Sequence, residues 1–187
     1  MPESKDLTEH EVASEQVFDG VLLKVRRDTV RLPDGSSGGR EYIKHPGAVA
    51  ILPILDSGDI VFERQYRYPL RRTMIEIPAG KIDAGEEPLF TAKRELLEET
   101  GYAAGEWRHL LTFHPVIAYS TERIEIFLAR SLEHKGAKLD AGEFLEVFSA
   151  PLADALEWVR IGTITDSKTI IALMWLDKMQ TGGWDPA

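Results

Sequence analysis

Cysteine is absent from this chain of 187 residues, which excludes disulfide scaffolds, thiolate zinc sites and cysteine nucleophiles. No apolar run approaches the roughly 20 residues of a membrane-spanning helix. Residues 1–16 also lack the basic and then apolar order of a signal peptide. Basic residues are outnumbered, because 22 lysines and arginines face 31 acids and give a net charge of −9. The sequence therefore predicts a cytoplasmic globular protein that binds neither nucleic acid nor membrane.

The negative charge is concentrated in two segments. Residues 1–20 carry a net charge of −5 and residues 80–102 carry −3, whereas residues 21–72 carry +4. Because the first 14 residues are polar and lack apolar periodicity, we predict a mobile acidic tail over 1–14. The second acidic segment lies inside an otherwise apolar helical pattern, so its carboxylates require a chemical explanation.

Apolar patterns predict a β-rich first half and helices later in the chain. Strands are expected at 48–55, 60–67, 74–77, 108–113, 124–129 and 145–149, and a loop at 33–39. Helices are expected at 87–100, 151–160 and 167–179. Strands and helices do not alternate as they do in a doubly wound sheet. We therefore predict an α+β fold in which helices sandwich a mixed sheet.

Three glutamates share one face of the predicted 87–100 helix. Glu95, Glu98 and Glu99 stand at i, i+3 and i+4, so their Cβ atoms lie about 5–6 Å apart, and the leucines are expected on the opposite face. Like charges at this spacing destabilise an isolated helix, but a hard cation between them reverses the effect. Mg²⁺ or Mn²⁺ suits such an all-oxygen site, and Arg94 can orient a carboxylate. The alternative for these three residues alone is a solvated helix face.

The spacing around the glutamates favours the metal site. Gly80, five residues, Glu86, seven residues and then the segment 94–102, which reads Arg-Glu-Leu-Leu-Glu-Glu-Thr-Gly-Tyr, meet every fixed position of one motif. On this motif the chain resembles the Nudix hydrolase family. The resemblance implies an α/β/α sandwich with a mixed β-sheet, and Mg²⁺-dependent hydrolysis of a nucleoside diphosphate linked to another group. It also implies metal ligation by the Ala79 carbonyl, Glu95, Glu98 and Glu99, with catalytic roles for Arg94 and Glu98.

Other segments resemble the ADP-ribose pyrophosphatase branch of that family, and the resemblance covers about residues 17–178. The segments that carry it include 63–67 and 76–83. It implies that Arg67 contacts phosphate, for which a bidentate guanidinium is well suited. It also implies that Glu76 helps to hold metal-bound water or substrate. A surface or structural role is the alternative for Arg67.

A further carboxylate is expected on the loop before the strand at 145–149. In the ADP-ribose branch a residue of this loop often acts on the nucleophilic water, and we assign Glu143 to that role. Glu146 is expected on the outer face of the strand. A simple turn residue is the alternative for Glu143. Pro115 stands slightly before the position where this branch tends to carry a proline, which leaves the sugar specificity open.

Together these observations predict a homodimeric, Mg²⁺-dependent pyrophosphatase that splits ADP-ribose into AMP and ribose 5-phosphate. The tail at 1–14 is followed by an N-terminal antiparallel β element at 15–45, used in dimerisation, and by a Nudix hydrolase domain at 46–180. One alternative substrate is another nucleoside diphosphate sugar, such as GDP-mannose or a broad range of ADP-sugars. The other alternative is a non-catalytic sensor of a nucleotide metabolite, although the intact motif argues against it.

Overall fold

The computed structural model describes residues 5–136 and 144–184. The chain divides into two compact units, one of residues 1–46 and 116–122, the other of residues 47–115 and 123–187. No helix among the described residues is long and apolar enough to cross a membrane. The elements of the described residues are β1 His10–Asp19, β2 Lys24–Arg31, β3 Ser37–Ile43, β4 Ala48–Pro53, β5 Ile60–Arg67, β6 Arg72–Glu76, β7 Ala79–Lys81, α1 Pro88–Thr100, β8 Tyr102–Phe113, β9 Ile124–His134, β10 Leu145–Ala150, α2 Leu152–Arg160 and α3 Ser167–Gln180.

The first unit contains the antiparallel sheet β1-β2-β3. Strand β1 begins at His10, inside the segment predicted as a tail over 1–14, and pairs antiparallel with β2, with two register shifts. It is exposed along almost its whole length, so no apolar alternation marks it in the sequence. Strand β3 begins at Ser37, inside the loop predicted at 33–39. Both differences arise because backbone pairing with β2 extends the strands beyond their apolar residues.

The second unit contains two further sheets. The mixed sheet has the order β7-β4-β9-β8, with β4 and β9 parallel, and an antiparallel sheet has the order β10-β5-β6. The turn between β4 and β5 therefore connects two sheets, and among the described residues an isolated bridge joins Ile54 to Ile60. Strand β4 is an inner strand of the mixed sheet, and it is therefore buried on both faces.

Alternate residues of β4 face two separate cores. Val49 and Ile51 pack with Ala92 and Leu96 of α1 on one side of the mixed sheet. On the other side, β4 packs against helices α2 and α3, with a core that includes Ala50, Leu52, Ala155, Ala172, Leu173 and Leu176. This two-sided burial confirms the predicted α+β sandwich and presents one face of α1 to the mixed sheet.

A glycine ends α1 and an aspartate caps α3. Gly101, with φ of 74°, ends α1, and its N–H donates to the Leu97 carbonyl at 2.9 Å. The Asp166 carboxylate caps α3 and accepts the N–H of Thr169 at 3.0 Å. The prediction that the leucines of α1 lie opposite the glutamates was wrong for one pair. Leu96 and Glu99 are both buried, since residues three apart share a helix face.

Candidate active site

Arg94 joins α1 to the segment that precedes it. Its Nε and Nη2 atoms donate to the two carboxylate oxygens of Glu86 at 3.3 and 3.1 Å. The Thr91 hydroxyl donates to Glu86 Oε2 at 2.8 Å. The hydrogen bonds from Arg94 and then from Thr91 hold the pKa of Glu86 below its ordinary value. Glu86 therefore stays ionised and fixes the guanidinium of Arg94.

The other edge of the same guanidinium contacts two of the predicted metal ligands. Arg94 Nη1 donates to Glu95 Oε1 at 2.8 Å and to Glu98 Oε2 at 3.0 Å. The hydrogen bond with Glu86, followed by the effects of Glu98 and Glu95, raises the pKa of Arg94 further. One arginine thus orients three carboxylates at once.

Strand β7 brings its backbone against α1. The Ala79 N–H donates to Glu99 Oε2 at 3.0 Å, and Glu99 is only 4% exposed. At Gly80, a Cβ atom would lie 1.9 Å from the Glu95 carboxyl carbon. The side chain of Glu95 occupies the space that any larger residue at position 80 would need. The structure therefore explains the glycine of the motif by this close approach.

We call Arg94 and the carboxylates of Glu86, Glu95, Glu98 and Glu99 the acid-rich cluster. Among residues 5–136 and 144–184, no three acidic or histidine side chains converge closely enough to hold one metal ion. Glu95 and Glu98 instead face Arg94, and Glu99 faces the Ala79 amide. The donor set nevertheless fits a hard divalent cation, since every candidate ligand is an oxygen and Gly80 leaves room for Glu95.

A second ionic group, which we call the balanced cluster, consists of Arg67, Glu76, Lys168 and Asp166. Arg67 Nε and Nη2 donate to Glu76 Oε1 and Oε2 at 2.6 and 2.8 Å. The Lys168 ammonium donates to the same Oε2 of Glu76 and lies 3.0 Å from Asp166 Oδ2. Two cations and two carboxylates therefore neutralise one another.

Burial and ion pairing shift the pKa values of Glu76 and Arg67 in the balanced cluster. Burial acts to raise the pKa of Glu76, but the hydrogen bond from Arg67 and the charge of Lys168 outweigh it and lower that pKa. The Glu76 hydrogen bond is the main cause of a raised pKa for Arg67, and the negative charges of Glu63 and Glu99 add to it. Since Glu99 acts on Arg67, the balanced cluster lies within electrostatic reach of the acid-rich cluster.

The structure brings together most of the site residues predicted from the sequence. Arg67 contacts Glu76, and Arg94 contacts Glu95 and Glu98. Glu143 lies outside the described residues. Glu146 is exposed on β10, as expected, and accepts a hydrogen bond from Arg64 at 3.0 Å.

Sequence reasoning missed Lys168. Its partner Glu76 stands 92 residues earlier in the chain, and a lysine near the start of an apolar helical pattern gives no signal of a buried contact. The neighbouring Thr169 makes a similar long-range contact, because its hydroxyl accepts the Ile77 N–H at 2.9 Å. The first turn of α3 thus supports the chain segment that leads from Glu76 into the motif.

Comparison with known proteins shows the family of the chain. A model of the NUDIX domain matches residues 44–172, and one of the nucleoside diphosphate sugar hydrolase N-terminal domain matches residues 9–43. The chain is 42% identical to an ADP-ribose pyrophosphatase of Bacillus subtilis, over 92% of this chain and 94% of that protein. It is 41% identical to a methanol dehydrogenase activator of Bacillus methanolicus, over 90% of this chain and 92% of that protein. A crystal structure of an ADP compounds hydrolase has the same fold, with a TM-score of 0.85, 24% identity and coverage of 96% of this chain and 98% of that chain.

Proposed function

The chain belongs to the Nudix hydrolase family, and we propose that it hydrolyses ADP-ribose to AMP and ribose 5-phosphate. The Bacillus subtilis relative, an ADP-ribose pyrophosphatase aligned along nearly its whole length, supports this substrate. The observation that carries the proposal is the acid-rich cluster. Arg94 binds three of the four carboxylates there, Glu99 accepts the Ala79 N–H, and a Cβ atom at position 80 would clash with Glu95.

We assign metal binding to Glu95, Glu98, Glu99 and the Ala79 carbonyl, with Mg²⁺ as the expected ion and Mn²⁺ as a substitute. Bound divalent ions neutralise the pyrophosphate, polarise phosphorus and lower the pKa of an attacking water. Arg94 keeps Glu95 and Glu98 at defined positions, and Glu86 in turn fixes Arg94. Arg94 thus links Glu86, Glu95 and Glu98, while the Ala79 N–H holds Glu99.

Arg67 is the proposed phosphate contact. Two of the five N–H donors of its guanidinium bind Glu76, and the side chain is 39% exposed, so three donors remain for an anionic group. Glu76 contributes to substrate binding by holding that guanidinium. Glu143 is assigned to accept the proton of the nucleophilic water, and Glu98, which is partly exposed, is assigned a catalytic role in the acid-rich cluster.

We infer that the protein is a homodimer that uses the 15–45 element as its interface, and that the catalytic domain spans 46–180. Support comes from large apolar side chains that the first unit exposes, among them Val17, Phe18, Leu22 and Leu23. Light scattering of the purified chain tests this inference. A monomeric mass at micromolar concentration would contradict it.

The experiment that tests the function is a panel of nucleoside diphosphate derivatives incubated with Mg²⁺, with products identified by mass spectrometry. ADP-ribose is expected to give AMP and ribose 5-phosphate faster than ADP-glucose or GDP-mannose is cleaved. Preferential release of GMP from GDP-mannose would reassign the substrate. Binding of ADP-ribose without any turnover would favour the sensor alternative.

A further inference from the structure

Lys168 is the only buried lysine or arginine among the described residues, with 8% of its surface exposed. A buried ammonium group destabilises a fold unless it is paired and hydrogen-bonded. Lys168 has both kinds of partner, because its Nζ atom contacts Glu76 Oε2 and Asp166 Oδ2. Lys168 lies outside the sequence motif, so the motif does not explain why this lysine is buried.

The contact with Glu76 ties Lys168 to the proposed phosphate-binding residue. Oxygen Oε2 of Glu76 accepts from both Lys168 and Arg67, while Oε1 accepts only from Arg67. The carboxylate thus lies between the two cations and fixes the plane of the guanidinium by a bidentate contact. Any movement of the carboxylate changes where the free N–H groups of Arg67 point.

Asp166 and Thr169 fix the position of Lys168 at the start of α3. Asp166 caps α3 by accepting the Thr169 N–H and contacts Lys168 with the same oxygen. The Thr169 hydroxyl donates to Asp166 and accepts the backbone N–H of Ile77, the residue after Glu76. The first turn of α3 therefore contacts the end of β6 in two ways: Lys168 binds the Glu76 side chain, and Thr169 binds the backbone of Ile77.

We propose that Lys168 is a positioning residue for substrate binding. Its ammonium group neutralises and fixes Glu76, so that Glu76 does not cancel the positive charge of Arg67 and the free N–H donors of Arg67 stay directed at phosphate. Without the ammonium group, Arg67 is the one remaining cation of the balanced cluster against two carboxylates, in a region where Glu63 and Glu99 add negative charge. Such a region repels a pyrophosphate. This inference rests on the proposed function and extends it to a residue outside the motif.

The test compares Lys168→Met with the wild-type protein in ADP-ribose hydrolysis at saturating Mg²⁺. The KM is expected to rise about tenfold while kcat changes less than about twofold, because the lost interaction concerns binding of the anion. Calorimetric titration with the non-hydrolysable α,β-methylene ADP-ribose should show the same tenfold loss of affinity. Lys168→Arg should restore most of both values. Lys178→Met is the matched control, since Lys178 lies on the same helix and is exposed.

A double-mutant cycle separates positioning from a merely structural role. In a Glu76→Gln background there is no carboxylate to neutralise, so Lys168→Met is expected to change KM less than about threefold. A full tenfold effect in that background, or an unchanged KM and affinity in the single variant with a normal melting curve, would overturn the inference alone. Absence of ADP-ribose turnover and binding in the wild-type protein would instead remove the proposed function, and this inference with it.

Discussion

The acid-rich and balanced clusters of the second unit differ in how their charges are compensated. The acid-rich cluster contains one arginine and four carboxylates, three of which contact that arginine, whereas the balanced cluster pairs two cations with two carboxylates. Uncompensated carboxylates on one helix destabilise it unless a cation joins them. The balanced cluster is complete as it stands and can hold Arg67 rigid. The excess of carboxylates is the reason for proposing the acid-rich cluster as the metal centre, and the charge balance is the reason for proposing the other cluster as its support.

Removing one carboxylate from the acid-rich cluster should have the largest effect on activity. Glu99→Gln is expected to lower kcat by about a thousandfold, because a metal ligand is lost and bound metal supplies several kcal/mol of transition-state stabilisation. The glutamine oxygen can still accept the Ala79 N–H, so the unfolding curve should stay close to wild type. Glu87→Gln, exposed just before α1, is the matched control. Near-normal turnover of Glu99→Gln would remove the metal assignment.

Disturbing the geometry of the acid-rich cluster without changing its charge should have the next largest effect. Gly80→Ala places a Cβ 1.9 Å from the Glu95 carboxyl carbon, so the side chain of Glu95 must move. A misplacement of this size is expected to lower kcat/KM by about a hundredfold. Gly39→Ala on β3, where a Cβ meets nothing within 4 Å, provides the control in the same kinetic assay. Equal activity of the two alanine variants would contradict the steric account.

A change in the balanced cluster should act mainly on substrate binding. Arg67→Lys keeps the charge but loses the bidentate contact with Glu76, and KM for ADP-ribose is expected to rise about tenfold. Turnover at saturating substrate should fall much less, because the acid-rich cluster is untouched. Arg130→Lys, exposed on β9, is the control in steady-state kinetics. A fall in kcat with an unchanged KM would place Arg67 in the chemical step instead.

The smallest effect concerns the pH dependence of stability. Glu76 has a lowered pKa in the folded protein, so the unfolded chain takes up its proton first as the pH falls below neutrality. The stabilisation is complete above the unfolded pKa and is lost as the pH falls through the lower folded pKa. Urea unfolding between pH 7 and pH 3 should therefore show a shallower decline in the free energy of unfolding for Glu76→Gln than for wild type. Parallel declines would show that this carboxylate is not stabilised in the fold.

Local patterns made much of the second unit predictable. The end of α1 at Gly101 and the cap of α3 at Asp166 follow from residues adjacent to each boundary. Helical periodicity likewise placed Glu95, Glu98 and Glu99 within one turn. The same helical pattern wrongly placed Glu99 opposite all the leucines, whereas Glu99 belongs to the buried face of the helix.

Long-range pairing accounts for what the sequence left unpredicted. The contact of Lys168 with Glu76 joins residues 92 positions apart, and nothing near either residue specifies it. Strands β4 and β5 belong to different sheets because their partners come from distant segments. In the first unit, backbone pairing alone extends β1 back to His10, where the side chains are polar and exposed.

Binding of Mn²⁺ to the purified protein, followed by electron paramagnetic resonance, tests most directly whether the acid-rich cluster is the metal centre. The measurement compares wild type with Glu99→Gln and Glu76→Gln, one variant from each cluster. We expect Glu99→Gln to weaken Mn²⁺ binding by at least about tenfold and Glu76→Gln to bind as wild type does. Undiminished binding by Glu99→Gln, or a selective loss in Glu76→Gln, would contradict the assignment of the two clusters.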